Sequence, residues 1–207
     1  MAETDTLADE AALRTVYDEP HPGALAKVLS FLDPHARHFI TLSPFFCIGT
    51  GREGGMADVS PRGGEPGFVH VLDDRHLAFP DRPGNNRLDT LANLTHTPAV
   101  GMLFFLPGVN EMLRINGKAR ISVAEDLMTR FAHDGRPPRS VIVVAVAEVY
   151  MHCAKALKRA ELWNPEVRIE RSTFPSLGRI VRDQMNLEVP AEAIDQMLDD
   201  DARHNLY

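Results

Sequence analysis

The chain has 207 residues, of which 44% are hydrophobic and 25% are charged, and its formal net charge at pH 7 is −7. This length and composition suit one compact domain with a sizeable core. The acidic balance argues against a nucleic acid or an anionic membrane as partner, although it leaves room for a local basic pocket. Two cysteines are too few for a disulfide framework, no apolar run reaches the roughly 18 residues of a membrane-spanning helix, and the acidic N-terminus lacks the apolar region of a signal peptide. We therefore expect a soluble, cytoplasmic protein.

Residues 1–44 carry apolar side chains at helical spacing and predict a helical extension. Thr6 or Asp9 can cap its first helix, and Asp33, which a proline follows, can begin its last. The helical spacing of apolar residues ends at about residue 44.

Residues 45–151 consist of short apolar runs separated by glycine and tight turns, a pattern that predicts antiparallel strands at even spacing. The run 111–123 predicts a long strand, broken at Asn116 and Gly117, and the run 141–146 is the most β-prone of the chain. Only the segment 87–95 predicts a helix between strands, so a doubly wound parallel sheet is disfavoured. The expected fold is mainly β with helical additions, and residues 152–207 predict helices that pack on the barrel.

Residues 77–94 read as a short apolar strand, a polar loop and the start of a helix. A helix start presents unpaired N–H groups and the positive end of the helix dipole, so it readily binds an anion. Arg82 and Arg87 flank this start, and Asn85 or Asn86 can cap the helix or donate to a ligand. The segment therefore predicts a phosphate site, with an ordinary loop carrying solvated arginines as the alternative.

A second candidate contact lies at Ser60 and Arg62, which follow a predicted strand of residues 56–59 and precede two glycines. Glycines allow a ligand to approach the backbone closely, and a guanidinium can bind a phosphate through two parallel N–H donors. The alternative is a solvated turn charge.

Residues 77–94 resemble the flavin-phosphate loop of the pyridoxamine 5′-phosphate oxidase family. Phe79 matches the end of the family's strand, Gly84 matches its glycine, and Arg87, after two asparagines, matches one of its two basic tip residues. Arg62 falls where the family has the other half of the phosphate clamp. The resemblance covers roughly residues 45–163. It implies a six-stranded antiparallel split β-barrel that binds FMN between the two subunits of a homodimer.

The resemblance also implies roles for residues around the flavin ring. Backbone groups near the end of the strand serve the pyrimidine edge, and Pro80 can offer only its carbonyl there. Arg114 alternates with Asn116 on one face of its strand and can contact the flavin, although a solvent-facing position is equally compatible. Lys155 and Trp163 belong to the segment that closes over the flavin, with an exposed lysine and a core tryptophan as the alternative. The predicted cofactor-binding residues are Ser60, Arg62, Phe79, Pro80, Asp81, Arg82, Asn85, Asn86, Arg87, Arg114, Lys155 and Trp163.

The resulting functional hypothesis is an FMN-dependent oxidoreductase that acts on a small molecule, with an anionic substrate favoured by the arginines. The acidic C-terminus lacks the basic pattern with which the vitamin B6 oxidase grips its substrate, so a relative of that enzyme is expected rather than the enzyme itself. No catalytic side chain and no metal ligand set is evident; the pair His35 and His38 has no obvious further ligand. Two alternatives stay open: a flavin-binding store or sensor without turnover, and a barrel relative that uses haem or a deazaflavin.

Overall fold

The computed structural model describes residues 6–206. Within this range the chain forms one antiparallel sheet of seven strands with helices before, between and after them. The expected antiparallel sheet with added helices is confirmed, but the expected count of six strands is wrong. The strands are β1 (Phe45–Thr50), β2 (Asp58–Gly63), β3 (His70–Val71), β4 (His76–Asp81), β5 (Ala99–Phe105), β6 (Met112–Ser122) and β7 (Ser140–His152), and their order in the sheet is β2-β1-β5-β6-β7-β4-β3.

The sheet curls into a half-barrel around an aromatic core. Phe46 on β1 and Phe79 on β4 are four places apart in the strand order, yet their ring centroids are 5.0 Å apart in an edge-to-face arrangement. Phe46 also stacks on Phe104 of β5 at 4.8 Å. All three rings are fully buried, so burial of their apolar surface is a major driving force for closing the sheet upon itself.

Strand β7 is buried on both faces in its first half. One face contributes Ile142 and Val144 to the main core, and the other packs Val141 and Val143 against a short helix that carries Leu127. A strand covered on both sides has no reason to alternate apolar with polar residues. This two-sided burial explains the continuous run of β-branched residues in the sequence.

The expected break in the long strand is a register shift. Strand β6 pairs with β7 from Met112 to Ser122, and the register of this pairing shifts by a bulge or irregularity between Asn116 and Gly117. A Cβ atom on Gly117 would collide with the backbone carbonyl oxygen of Ala145 on β7. Glycine at this position is therefore required by the close approach of the two strands.

Three helices precede the sheet, and the first and last of them begin where the sequence indicates. They are α1 (Glu10–Arg14), α2 (Pro22–Ala26) and α3 (Pro34–Leu42). Asp9 caps α1 and Asp33 caps α3, each by accepting a backbone N–H at 2.8 Å. Helix α3 buries Phe39 and Ile40 in the main core, so it packs directly against the sheet.

The later helices are α4 (Asp89–His96), α5 (Glu125–Arg130), α6 (Lys155–Ala160), α7 (Leu177–Met185) and α8 (Ala191–His204). Helix α4 connects β4 to β5, and α5 covers the outer face of β7. Helices α7 and α8 meet at Gly178, whose backbone N–H donates to the Asp195 carboxylate at 2.7 Å. Among the helices of residues 6–206, none has the length and apolarity that crossing a membrane requires.

Candidate functional site

A cavity of about 730 Å³ opens between β2, the end of β4, the loop that follows β4 and the first turn of α4. This volume is typical of pockets for cofactors and other small molecules. Its wall brings together the two stretches that the sequence singled out. Eight of the twelve predicted site residues line it: Ser60, Arg62, Pro80, Asp81, Arg82, Asn85, Asn86 and Arg87.

Arg62 lines this cavity and carries a buried donor that has no hydrogen-bond partner among residues 6–206. It lies inside β2 opposite Phe46, because β2 runs from Asp58 to Gly63 instead of ending at residue 59 as expected. One of its terminal nitrogens, Nη1, donates to the carbonyl of Pro61 at 2.8 Å. Its Nε is buried and has no hydrogen-bond partner among residues 6–206. An unpaired buried donor costs about 1–3 kcal/mol, and more when it is charged, so this position favours an anionic acceptor.

The expected asparagine cap of α4 is wrong. The helix begins at Asp89 instead of residue 87, and the residue at its cap position, Leu88, has a left-handed backbone (φ 61°) and provides no side-chain cap. Asn85 instead accepts the backbone N–H of Arg87 at 3.1 Å, which shapes the loop. The first-turn N–H groups of α4 consequently receive no hydrogen bond from a cap side chain and border the cavity.

Arg87 lies at the outer wall of the cavity and is mostly exposed. Its Nε forms an ion pair with the Asp89 carboxylate at 2.8 Å. The hydrogen bond and the negative charge of Asp89 raise the pKa of the Arg87 guanidinium above its ordinary value. Arg87 therefore remains a cation at the helix start at all relevant pH values.

Arg139 is a cavity residue that the sequence did not reveal. It immediately precedes β7, and the register of β4 with β7 pairs Asp81 with Ser140, which brings Arg139 beside the end of β4. Its Nη1 donates to the Asn86 side chain at 2.9 Å, across 53 residues of sequence. Only knowledge of the strand register could have placed this arginine at the site.

A polar network joins the two walls of the cavity. The hydroxyl of Thr90 on α4 donates to Asp58 at 2.8 Å and lies 3.1 Å from the hydroxyl of Ser60. The Ser60 hydroxyl also donates to Asp58, at 3.0 Å. Asp58 and Thr90 were not predicted, because nothing local in the sequence connects a strand residue with a helix residue so far along the chain. The network fixes α4 against β2 and orients Ser60.

Asp81 introduces a carboxyl group among the arginines. Burial raises its pKa above the ordinary value, while the positive charges of Arg62 and Arg139 act in the opposite direction and only partly offset this effect. The cavity therefore contains one half-buried carboxyl group within the electrostatic influence of two arginines, Arg62 and Arg139.

Four predicted residues do not line the cavity of a single chain. Phe79 is fully buried in the core. Arg114 donates to the Tyr150 hydroxyl at 2.7 Å and lies on the same face as Asn116, as expected. Lys155 is exposed at the start of α6, and the half-buried indole of Trp163 donates to the carbonyl of Val109 at 2.8 Å. These three polar side chains are thus not part of the cavity wall formed by a single chain.

The residues that the structure describes contain no candidate metal site. Among residues 6–206, no three His, Cys, Asp or Glu side chains form a group that could hold a metal ion. His35 and His38 are both exposed on α3. The arginine-rich cavity is thus the principal candidate site.

Comparison with solved structures gives remote similarities. HupZ of Group A Streptococcus is 14% identical, with a TM-score of 0.48, over 57% of this chain and 92% of that chain. A Clostridium acetobutylicum protein of the pyridoxinephosphate oxidase family, related to general stress protein 26 of Bacillus subtilis, is 12% identical, with a TM-score of 0.41, over 57% of this chain and 87% of that chain. Similarities this remote support no statement about activity.

Comparison at the level of sequence is more decisive. No curated protein sequence matches the chain significantly. The sequence model of one family, described as pyridoxamine 5′-phosphate oxidase, matches residues 32–153, which are more than half of the chain. This range contains both walls of the cavity, from Ser60 on β2 through Arg139 next to β7. The chain therefore belongs to the pyridoxamine 5′-phosphate oxidase family.

Proposed function

We propose that the chain is an FMN-binding protein that holds the phosphate of FMN in the arginine-lined cavity. The observation that carries this proposal is the buried Nε of Arg62, which has no hydrogen-bond partner among residues 6–206 and lies at a cavity that Arg82, Arg87 and Arg139 also line. A phosphate can accept from several such donors at once. The start of α4 adds backbone N–H groups to the same wall.

The residues of this cavity suit a phosphate attached to a polar chain. Arg62 and Arg139 provide the charge on the β2 and β7 sides, and Arg87 provides it at the helix start. The network of Asp58, Ser60 and Thr90 holds the walls at a fixed separation. When bound, FMN supplies hydride and single-electron transfer, so the protein needs no strong acid or base of its own.

The proposed activity is an FMN-dependent oxidation or reduction of a small molecule. The family membership supports flavin chemistry in general. An anionic substrate is favoured because arginines cluster at the cavity of an otherwise acidic protein, and such a local field attracts anions. Of the predicted site cations Arg82, Arg114 and Lys155, only Arg82 lines the cavity of a single chain, and Arg139 adds a cation that was not expected.

We also propose that the active form is a homodimer with FMN between its subunits. The segment after β7 carries Lys155 and Trp163 on the surface of the chain, away from its own cavity. Several large apolar side chains around this segment are exposed, among them Leu162, which is 50% exposed, and Ile169, which is 69% exposed. Burial of such side chains against a second copy would stabilise the dimer.

The test of the proposed function compares FMN with riboflavin, which lacks the phosphate. We expect FMN to bind much more tightly than riboflavin to the purified protein, as measured by quenching of flavin fluorescence. Arg62→Ala should weaken FMN binding by roughly 30-fold or more, since removing one partner of a buried charge pair costs about 2–5 kcal/mol. Riboflavin binding should change little.

Arg120→Ala is a suitable control because Arg120 is an exposed strand arginine on β6 that does not line the cavity. This variant should bind FMN as the parent does. Equal affinity of the parent for FMN and riboflavin would contradict the phosphate site. Loss of FMN binding in both Arg62→Ala and Arg120→Ala would indicate a general effect of the protein's charge instead of a phosphate site at Arg62.

A further inference from the structure

The carboxyl group of Asp81 is an unusual component of a site for an anion. Asp81 is the last residue of β4 and lines the cavity that we assign to the phosphate. A negative charge at this position repels a phosphate and competes for the same guanidinium groups. A carboxylate in this position reduces the net positive charge that the arginines present to an anion.

The charged neighbours of Asp81 define what its carboxylate does when no ligand is bound. Arg62 on β2 and Arg139 next to β7 both attract it, and Arg82 is its neighbour in the chain. Arg87 and Asp89, which pair with each other, line the same cavity at the start of α4. The Asp81 carboxylate therefore offsets part of the positive charge of Arg62 and Arg139.

The Asp81 carboxylate does not satisfy every hydrogen-bond donor of Arg62. Asp81 attracts this guanidinium, but the Nε of Arg62 donates to no atom of residues 6–206. A phosphate bound in the cavity that Arg62 and Asp81 both line would therefore lie near the same guanidinium as the carboxylate. Two anions then share one arginine, and their mutual repulsion is lowest when the carboxyl group binds a proton.

Building on the proposed function, we infer that Asp81 is a specificity-determining residue that competes with the phosphate of FMN and couples its binding to the uptake of a proton by the protein. The carboxylate stabilises the arginines when the ligand is absent. It also disfavours ligands with a full double negative charge unless a proton accompanies them. The protein consequently binds FMN less tightly, and more reversibly, than the same arginines alone would.

The burial of Asp81 is consistent with this role. Burial holds the pKa of its carboxyl group above the ordinary value even though two arginines lie nearby. The group is thus already easier to protonate than a carboxyl group in water, and an added phosphate displaces its pKa further in the same direction. Groups kept in unfavourable surroundings are frequent at functional sites.

The experiment compares FMN binding to the parent, to Asp81→Asn and to the control Asp126→Asn at about pH 8, where the phosphate, whose second pKa is about 6, is a dianion. Asp126 is exposed on α5 and does not line the cavity. We expect Asp81→Asn to tighten FMN binding by about tenfold, with riboflavin binding unchanged. The control should match the parent. An unchanged or weakened affinity of Asp81→Asn for FMN would overturn the inference.

A second measurement tests the proton directly. Calorimetric titration of the parent with FMN, in two buffers of different ionisation enthalpy, should show proton uptake that Asp81→Asn largely removes. Equal uptake by both proteins would contradict the inference even if Asp81→Asn binds more tightly. Thermal unfolding of each variant verifies that it is folded, and Asp81→Ser provides a second neutral substitution.

The outcome for the proposed function is separable from the outcome for Asp81. If the parent binds no FMN, the proposed function fails, and the same variants are titrated with inorganic phosphate. Tighter phosphate binding by Asp81→Asn would then support the competing carboxylate at a phosphate site for another ligand. Phosphate binding that is unaltered in this variant, or absent from all of them, would overturn it.

Discussion

The hydroxyl of Thr90 donates to the Asp58 carboxylate at 2.8 Å, across 32 residues of sequence. Thr90 is buried in the first turn of α4, and Asp58 begins β2. This one hydrogen bond connects the helix that borders the cavity with the strand that carries Arg62. The relative position of the two walls therefore depends on a pair of residues that need not touch the ligand.

Thr90→Val should test this connection. The substitution keeps the shape of the side chain but removes the hydroxyl, so Asp58 loses one donor in a partly buried place. We expect a loss of about 1–3 kcal/mol in the free energy of unfolding, measured with urea, and a weaker affinity for FMN. Thr90→Ser keeps the hydroxyl and should stay much closer to the parent. Equal stability of the valine and parent proteins would show that the hydrogen bond contributes little.

Much of the fold could be predicted because its signals are local. The aspartate and proline at the start of α3, the asparagine and glycine that shift the register of β6, and the strand, loop and helix of residues 77–94 each depend on neighbouring residues. Strand β2 was misplaced because residues 58–63 have no apolar alternation. Their strand conformation results from pairing with β1.

The cavity could be predicted only in part, for a similar reason. Arg62 and the loop of residues 80–87 were evident as two separate basic segments. Arg139 and Thr90 reach the site through strand register and helix packing, which are properties of the folded chain. Leu88 adopts a left-handed backbone that its residue type does not favour, so the true start of α4 could not be read from the sequence.

Gly117→Ala should destabilise the protein strongly. The added Cβ would collide with the carbonyl oxygen of Ala145, a backbone atom that cannot move without breaking the pairing of β6 with β7. Overpacking of this kind costs typically about 1–3 kcal/mol, and a clash with backbone lies at the upper end. Chemical denaturation measures the loss. Gly84→Ala is the control, because a Cβ there meets no atom and the backbone is not left-handed.

Arg139→Ala should weaken FMN binding without a large effect on folding. Arg139 is exposed, so the loss of its hydrogen bond to Asn86 should cost less than about 1 kcal/mol of stability. Its charge next to the phosphate site should matter more, with an expected loss of roughly tenfold in FMN affinity. Arg136→Ala removes an exposed arginine from the same loop that does not line the cavity. If both variants bound FMN equally well, Arg139 would have no part in the site.

The proposed dimer can be tested by sedimentation of the protein loaded with FMN. We expect a species of twice the 23.0 kDa mass of one chain. Trp163→Ala should weaken both the dimer and flavin binding, whereas Leu13→Ala, at an exposed apolar residue of α1, should affect neither. A monomer that carries FMN would contradict the dimer and any role of Lys155 and Trp163 from a second subunit.

The stability of the fold should decrease in mild acid because of His70. Its ring stacks on Phe131 with the centroids 4.2 Å apart, and burial, together with the charge of Arg130, lowers its pKa below the ordinary 6.5. As the pH falls below about 6.5, the unfolded chain binds the proton before the folded chain does, so the free energy of unfolding decreases, by at most about 1.4 kcal/mol per pH unit for one group. This loss ends once the pH is below the lowered pKa of the folded state.

His70→Gln should flatten the dependence of the free energy of unfolding on pH, measured by urea denaturation between about pH 7 and pH 5. The pH dependence that remains should come partly from His152, whose pKa is lowered by burial and by the charges of Arg114 and Lys27. His35→Gln, at an exposed position on α3, should keep the slope of the parent; an identical slope for His70→Gln and the parent would show that His70 is not the group responsible.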